Sequence, residues 1–196
     1  MARPFALLST HGQVVAAATQ YDLSAGAGAM AGLVQPSDPH PLDLTITDTN
    51  ASVSAIQIDV VGTDKDDAVA TEQFLFAGGL TQNGTQYFKT ITSITITSVT
   101  GEGAGDKVDF DWAANFNGPE FVFEGGAKMG FFASGTWDTC TVTFQISHDG
   151  TTWHAHAAGT TVTANAWVLV ELPAGVYVRA VLSSVGASSS VSAVLV

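Results

Sequence analysis

The sequence predicts an all-β protein in which two consecutive β-sandwich-like domains follow an extended N-terminal arm. Three observations lead to this fold class. Apolar and polar residues alternate with a period of two along many short segments, and turn signals separate these segments by about 8–12 residues. Only 12% of the 196 residues are charged. The chain is rich in Gly, Ala, Ser, Thr and Val rather than in the Leu, Glu, Lys and Arg that helices favour.

Residues 1–40 form the predicted arm. They show little periodicity, and the small-residue stretch at 24–32 and the prolines that follow it favour an extended, irregular chain. Either the arm acquires order from neighbouring proteins, or it forms an edge strand and a linker within its own chain. On the first interpretation, the apolar side chains of the arm bind a partner. These predicted partner-binding residues are Phe5, Leu7, Leu8, Val14, Val15, Tyr21, Leu23, Met30 and Leu33.

The first β-sandwich domain is predicted at residues 41–115. Apolar and polar residues alternate at 42–47 and again at 56–60, as in strands with one buried face. The longest strand candidate contains Ile91 and Ile94, whose spacing of three breaks this alternation. The break predicts a β-bulge or a bend between the two isoleucines.

The second β-sandwich domain is predicted at residues 116–196. Asn117-Gly118-Pro119 indicates the boundary between the two domains. One alternating strand then places Cys140 and Phe144 on the same face, and further strands follow at 167–172 and 176–182. The two domains show no convincing residue-level repeat.

The charge of the chain excludes two classes of partner. Eighteen acidic residues against six Lys and Arg give a net charge of −12, with no basic stretch. Binding to a nucleic acid depends on Lys and Arg that neutralise phosphates, so we expect no nucleic acid and no anionic membrane as a partner. No apolar run reaches the about 18 residues of a membrane span. A basic patch on another protein remains a suitable partner.

We predict no catalytic, cofactor-binding or metal-binding residue. His154 and His156 would share one face of a strand, which is metal-ligand geometry if His148 or Asp149 adds a third ligand, but a solvent-facing strand is the favoured interpretation. Cys140 lies in an apolar alternation and is predicted to be a core residue. The chain contains no Gly-x-Ser-x-Gly, Walker A or dinucleotide-binding motif.

Two groups of acidic residues are candidate cation sites. The first lacks the glycine and the bidentate glutamate of a calcium-binding EF-hand loop, so a solvated hairpin turn is favoured there. The second would need a neighbouring loop to complete its ligand set. The groups are Asp64, Asp66 and Asp67, and Asp106, Asp109 and Asp111.

Residues 147–153 are similar to the Asp-box of sialidase-like propellers but are one residue shorter than that motif. A propeller also needs several copies of the motif, and the sialidase site that this likeness implies uses three arginines where this chain has Arg3 and Arg179 alone. The segment is therefore predicted to be a hairpin turn, with Asp149-Gly150 at its tip and Trp153 covering the end of the sheet.

Two regions of the chain, 56–112 and 140–196, resemble a pattern in tailed-bacteriophage virion proteins. The segments that carry this resemblance are Ile56–Asp64, the strand bearing Glu72, Phe88–Thr95, Ser147–Trp153 and Glu171–Ala180. The resemblance implies a non-enzymatic structural component of the particle, most directly a capsid decoration (cement) protein. Such a protein would be assembled in the host cytoplasm and would lie on the outer capsid surface. Its implied partners are the major capsid protein or other virion proteins, and a homo-oligomer is implied, with a trimer favoured.

Two alternative functions remain open. The first is a tail, neck or fibre-base protein of the same particle, which ranks below the decoration function. The chain would also suit a carbohydrate-binding or adhesin module, because Trp112, Trp137, Trp153 and Trp167 are able to stack on sugar rings if they are exposed. A glycan array distinguishes this second alternative from the virion functions.

Overall fold

The computed structural model describes residues 5–9, 16–36, 39–76, 80–113, 116–118, 120–124, 127–156, 161–186 and 188–195. The described residues are all-β, as predicted, and contain one 3-10 helix at Leu23–Ala25 but no α-helix. No helix in these ranges has the length and apolar character needed to span a membrane. The chain divides into two compact units, one of residues 14–113 and one of residues 1–13 together with 114–196.

The unit of residues 14–113 contains two antiparallel four-stranded sheets. Its strands are β2 (Tyr21–Asp22), β3 (Gly28–Ala29), β4 (Leu42–Thr47), β5 (Ala55–Thr63), β6 (Val69–Phe76), β7 (Thr81–Asn83), β8 (Thr90–Thr100) and β9 (Lys107–Trp112). One sheet has the order β2-β9-β4-β7 and the other β3-β8-β5-β6. The Phe74 and Phe110 rings, one from each sheet, meet edge-to-face with centroids 5.1 Å apart. The core therefore lies between the two sheets, as in a sandwich.

The predicted irregularity between Ile91 and Ile94 is confirmed. Val61 pairs with Ser93 and Gly62 with Ile91, so one residue of β8 is left over between these two pairs. The extra residue lets both Ile91 and Ile94 point into the core, where each is at most 4% exposed. A Cβ atom on Gly62 would lie 2.0 Å from the Thr90 carbonyl oxygen, so this close approach of β5 and β8 requires a glycine.

Residues 16–36 of the predicted arm pack within the unit of residues 14–113. β2 pairs with β9 and β3 pairs with β8, while the Thr19 amide donates to the Ala31 carbonyl oxygen at 2.8 Å. Leu23 and Met30 are buried in the core, and Tyr21 and Leu33 pack against it. Residues 16–36 therefore follow the second interpretation, in which the segment pairs within its own chain. The assignment of Leu23 and Met30 to a partner-binding surface is corrected, because burial in the core already occupies both side chains.

The other unit also contains two antiparallel sheets. Its strands are β1 (Phe5–Ser9), β10 (Phe116–Asn117), β11 (Phe121–Phe123), β12 (Ala127–Thr136), β13 (Thr141–Ser147), β14 (His154–Ala155), β15 (Thr161–Val162), β16 (Ala166–Leu172), β17 (Val176–Ser183) and β18 (Ser190–Leu195). One sheet has the order β1-β18-β12-β16, and the other is built on β10-β17-β13-β14 with β11 and β15 added. Phe131 and Phe144, one from each sheet, have ring centroids 5.3 Å apart. This unit is therefore also sandwich-like.

The first strand of the chain belongs to this second unit. The β1 backbone pairs with β18, with Phe5 opposite Leu195 and Leu8 opposite Ala193, and the register shifts around Leu7. Val14 and Val15 lie outside the described residues. The predicted arm is thus divided between the two units, because residues 1–13 group with one and residues 14–40 with the other. The division after residue 113 falls two residues before the predicted domain boundary.

Candidate binding surfaces

The edge of β6 is the first candidate surface. β6 pairs with β5 along all eight of its residues and ends the order β3-β8-β5-β6, so no further described strand pairs with its outer edge. Ala70 and Phe74 point into the core, whereas Val69 is 79% exposed and Leu75 is 58% exposed. Backbone N–H and C=O groups at such an edge are available for pairing with another chain. We call this strand edge, with Val69 and Leu75, the β6 edge.

The β6 edge lacks three of the features that usually block strand pairing. Exposed edges are commonly protected by lysines, prolines or bulges, and β6 contains none of these. Its one charged residue, Glu72, is engaged elsewhere. The Glu72 carboxylate accepts hydrogen bonds from the Thr85 amide at 2.6 Å and the Gln86 amide at 3.2 Å. This acid therefore stabilises the turn before β8, and it lies on the same side of β6 as Ala70 and Phe74 rather than among the exposed side chains.

The second candidate surface is the outer face of β12 and β16. Strand alternation buries Phe131 and Val170 on the inner face, where they are at most 1% exposed. On the outer face, Phe132 is 40% exposed, Trp167 is 65% exposed and Leu169 is 55% exposed. β16 ends the order β1-β18-β12-β16, so these side chains lie at the end of the sheet. We call Phe132, Trp167 and Leu169 the aromatic face.

Gly130 explains how the two rings of the aromatic face are arranged. Phe132 and Trp167 are cross-strand partners, and their rings are close to parallel, 23° apart, with centroids separated by 5.9 Å. A Cβ atom on Gly130 would lie 2.7 Å from Phe132 Cε2 and 2.8 Å from Trp167 Nε1. The rings thus lie over the glycine, which is buried although it is on the outer face. Aromatic rings commonly cover strand glycines in this way.

A charged pair lies on the same outer face. Lys128 Nζ and a Glu171 carboxylate oxygen are 2.8 Å apart, on residues that pair directly across β12 and β16. Their hydrogen bond raises the pKa of Lys128 and lowers the pKa of Glu171. Both side chains remain about two-thirds exposed. Together with Leu172 and Pro173 they line an open cavity of about 350 Å³.

The rest of this outer face is uncharged. The positions that alternate outward along β12 and β18 carry Ser134, Thr136, Ser190, Ser192 and Val194. Within the described strands β12, β16 and β18, Lys128 and Glu171 are the two charged residues, and they neutralise each other. The aromatic face is therefore locally neutral in a chain whose net charge is −12.

The predicted acidic turn at 64–67 is a hairpin turn in the structure. Asp64 Oδ1 accepts hydrogen bonds from the Asp66 amide at 2.8 Å and the Ala68 amide at 3.0 Å. Asp66 pairs with Lys65, and Asp67 pairs with Lys89 at 2.7 Å. Each of the three carboxylates thus contacts a donor of the protein, in agreement with the solvated turn that the sequence favours.

The second acidic group is divided between two different settings. Asp106 is buried and accepts hydrogen bonds from the Thr49 amide and hydroxyl at 2.8 and 2.9 Å and from the Gly103 amide at 2.7 Å. The Thr49 amide is the main cause of the lowered pKa of Asp106. Asp106 therefore connects two loops, and its acceptor capacity is used by the protein.

Asp111 lies on the outer face of its sheet, opposite Asp43 of β4. Burial raises the pKa of both carboxyls, and the neighbouring acids, Asp111 for Asp43 and Asp109 for Asp111, add to the effect. In the part of the chain that the structure describes, no three His, Cys, Asp or Glu side chains are close enough to share a metal ion.

Structural positions are occupied by the candidate metal ligands His154 and His156 and by Cys140. His154 is exposed on β14, and the His156 amide donates to the Phe144 carbonyl oxygen at 3.0 Å. The His156 ring also lies 5.9 Å from the Phe144 ring. Cys140 is 1% exposed, and burial raises the pKa of its thiol. It is a core residue, as predicted.

The segment 147–153 forms a tight turn held by Asp149. One Asp149 carboxylate oxygen accepts hydrogen bonds from the Thr152 amide at 2.7 Å, the Thr151 amide at 2.8 Å and the Ser147 hydroxyl at 2.9 Å. These bonds, led by the Thr152 amide, hold the pKa of Asp149 far below its usual range. The Arg179 guanidinium lies 4.1 Å from the centre of the Trp153 ring. This part of the chain is therefore a structural turn.

The four tryptophans differ sharply in exposure and contacts. Trp112 is a core residue at 6% exposure, Trp137 donates its indole N–H to Asn165 at 2.7 Å, and Arg179 lies over the Trp153 ring. Trp167 alone among the four is a largely exposed aromatic. The sequence did not identify Phe132 as its neighbour. A signal existed in β16, where Trp167 and Leu169 alternate with valines and leave both faces apolar.

Comparison with known proteins gave no relatives. No family model matches the chain, and neither a curated protein nor a solved structure is similar to it at a significant level.

Proposed function

We propose that this chain is a non-enzymatic structural component of a bacteriophage particle, and specifically a capsid decoration protein that binds and stabilises the outer capsid surface. The β6 edge is the observation that carries this proposal. A long edge with no lysine, proline or bulge and with exposed Val69 and Leu75 is suited to pairing with a strand of another protein. The partner is the major capsid protein or another virion protein.

Strand addition at the β6 edge would combine two contributions. Backbone hydrogen bonds to the outer edge of β6 supply affinity without requiring a particular sequence, and pockets on the partner for Val69 and Leu75 supply specificity. The acidic surface of the chain, with a net charge of −12, complements a basic partner and speeds the encounter. A repeated capsid surface would then bind one copy of the chain at each equivalent position.

Oligomerisation belongs to the same proposal. A homotrimer contacts three capsid subunits at once, so that a weak strand pairing in each copy becomes tight overall. The other unit, of residues 1–13 and 114–196, is not needed for this contact.

Capsid binding is tested with particles of the encoding phage that were assembled without this chain. Purified protein added to such particles should bind in a fixed ratio and should raise the temperature at which they rupture. Leu75→Lys places a charge at the β6 edge and should weaken binding at least tenfold. Val122→Lys changes a side chain that is 50% exposed on β11 of the other unit, and this control should bind normally.

Two results would contradict the proposal. Complete absence of binding to the particles would remove the decoration function. Electron micrographs that place the protein at the tail, the neck or a fibre base would instead assign it to the alternative virion position.

A further inference from the structure

We infer that the aromatic face is a binding site for a neutral oligosaccharide. Nothing in the capsid-binding role requires this site, and the inference does not depend on that role. It rests on three properties of the outer face of β12 and β16, namely exposed rings in a near-parallel arrangement, hydrogen-bonding groups further along the same face and local neutrality.

The rings provide an apolar surface that suits a sugar. Trp167 is 65% exposed and its ring is 23° from parallel to that of Phe132. The face of an aromatic ring carries partial negative charge, and the C–H groups of a pyranose ring carry partial positive charge, so the two attract when they stack. Contact with Gly130 below limits how far the two rings can move inward. The platform therefore exists before a ligand arrives, which lowers the entropic cost of binding.

The charged pair further along the same face supplies polar contacts. A sugar presents hydroxyl groups around the edge of its ring, and these need donors and acceptors when water is displaced. Lys128 has further N–H donors beyond its bond to Glu171, and the Glu171 carboxylate has further acceptor positions. Both groups, with Leu172 and Pro173, line the open cavity of about 350 Å³ beyond the rings. Trp167 and Glu171 are four residues apart on one strand, or about 14 Å, so the site fits a short oligosaccharide rather than a single sugar.

Charge selects neutral over acidic glycans. The net charge of −12 repels sulfated and sialylated chains at long range, and the Lys128 charge that would attract them is neutralised by Glu171. A neutral glycan meets neither effect. The predicted ligand class is therefore hexose or N-acetylhexosamine oligosaccharides without acidic groups.

The experiment uses the full chain on an array of neutral and acidic oligosaccharides. Binding to soluble hexasaccharides of glucose and of N-acetylglucosamine is then measured by tryptophan fluorescence and calorimetry. Neutral probes should bind and acidic probes should bind at least tenfold more weakly. Trp167→Ala should reduce affinity for a neutral probe at least tenfold, whereas Trp167→Phe should retain most of it. Val122→Ala is the matched exposed apolar control and should bind as the native chain does.

Three outcomes would overturn the inference. The first is no binding of any neutral probe by the native chain at millimolar concentration. The second is equal binding by the Trp167→Ala variant, which would place the sugar elsewhere. The third is a fall in oligomeric mass on Trp167→Ala, measured by light scattering, because the aromatic face would then be an interface between copies of the chain. Glycan binding by the native chain, glycan binding by the Trp167→Ala variant and the oligomeric mass can all be measured even if the chain does not bind capsids.

Discussion

The contact between Phe74 and Phe110 should be measurable as a coupling energy between the two sheets of the unit formed by residues 14–113. Both rings are at most 1% exposed, and they meet edge-to-face at 5.1 Å. Replacing either by Leu should cost about 1–2 kcal/mol for the smaller side chain. The lost ring pair should add about 0.5–1.5 kcal/mol. Each single variant should therefore lose about 1.5–3.5 kcal/mol of unfolding free energy.

The double variant separates these two contributions. Because the ring pair is lost only once, Phe74→Leu with Phe110→Leu should cost about 0.5–1.5 kcal/mol less than the sum of the single variants. Urea unfolding of this unit is monitored separately through the hydrogen exchange of the β4 and β9 amides. Phe74→Leu combined with Phe144→Leu, which alters the other core, should be additive. A coupling below about 0.3 kcal/mol for the Phe74–Phe110 pair would refute the placement of these rings between the sheets.

Three further predictions concern Asp106, Gly62 and Asp149, each of which lies close to a backbone amide or carbonyl group of another residue. Asp106→Asn should lower the urea midpoint at neutral pH. The difference in unfolding free energy between the native chain and this variant should shrink as the pH falls through the lowered pKa of Asp106. A carboxylate whose pKa is lower in the folded state stabilises the fold at pH values above its unfolded pKa. This stabilisation is lost as the pH falls through the folded pKa. Gly62→Ala should cost about 1–3 kcal/mol or more in unfolding free energy, since its Cβ would meet the Thr90 carbonyl oxygen. Asp149→Ala should speed hydrogen exchange at the Thr152 amide and leave β4 amides unchanged.

The sequence predicts the paired strands well because alternation is a local signal. Leu42 and Leu44 are buried while Asp43 between them points outward, as a period of two requires. The bulge between Ile91 and Ile94 was also predictable, since a spacing of three cannot keep two residues on one face of a regular strand. These features depend on neighbours in the sequence and not on which strands meet.

The pairing and burial of residues 16–36 could not be predicted from the sequence because the contacts of these residues are long-range. Ala17 and Leu23 are completely buried, but small residues and a short 3-10 turn carry no periodic signal. Asp106 connects to Thr49 across a sequence separation of 57 residues, which no local pattern encodes.

The two candidate surfaces could not be identified without the order of the strands in each sheet. A strand becomes an edge only through its place in a sheet, so the open edge of β6 depends on β5 being its one described neighbour. Trp167 was recognisable as an aromatic, but its exposure could not be ranked because Val168 and Val170 are as apolar as Leu169. Burial of one face is decided by the partner sheet.

Hydrogen exchange of the chain with and without capsids tests the role of the β6 edge most directly. On binding, amides of β6 should exchange markedly more slowly, because strand addition pairs their outer N–H groups with the partner. Amides of β16, at the edge of the other unit, should exchange at the rate of the free protein. Unchanged β6 exchange in a chain that is fully bound to capsids would contradict docking through this edge.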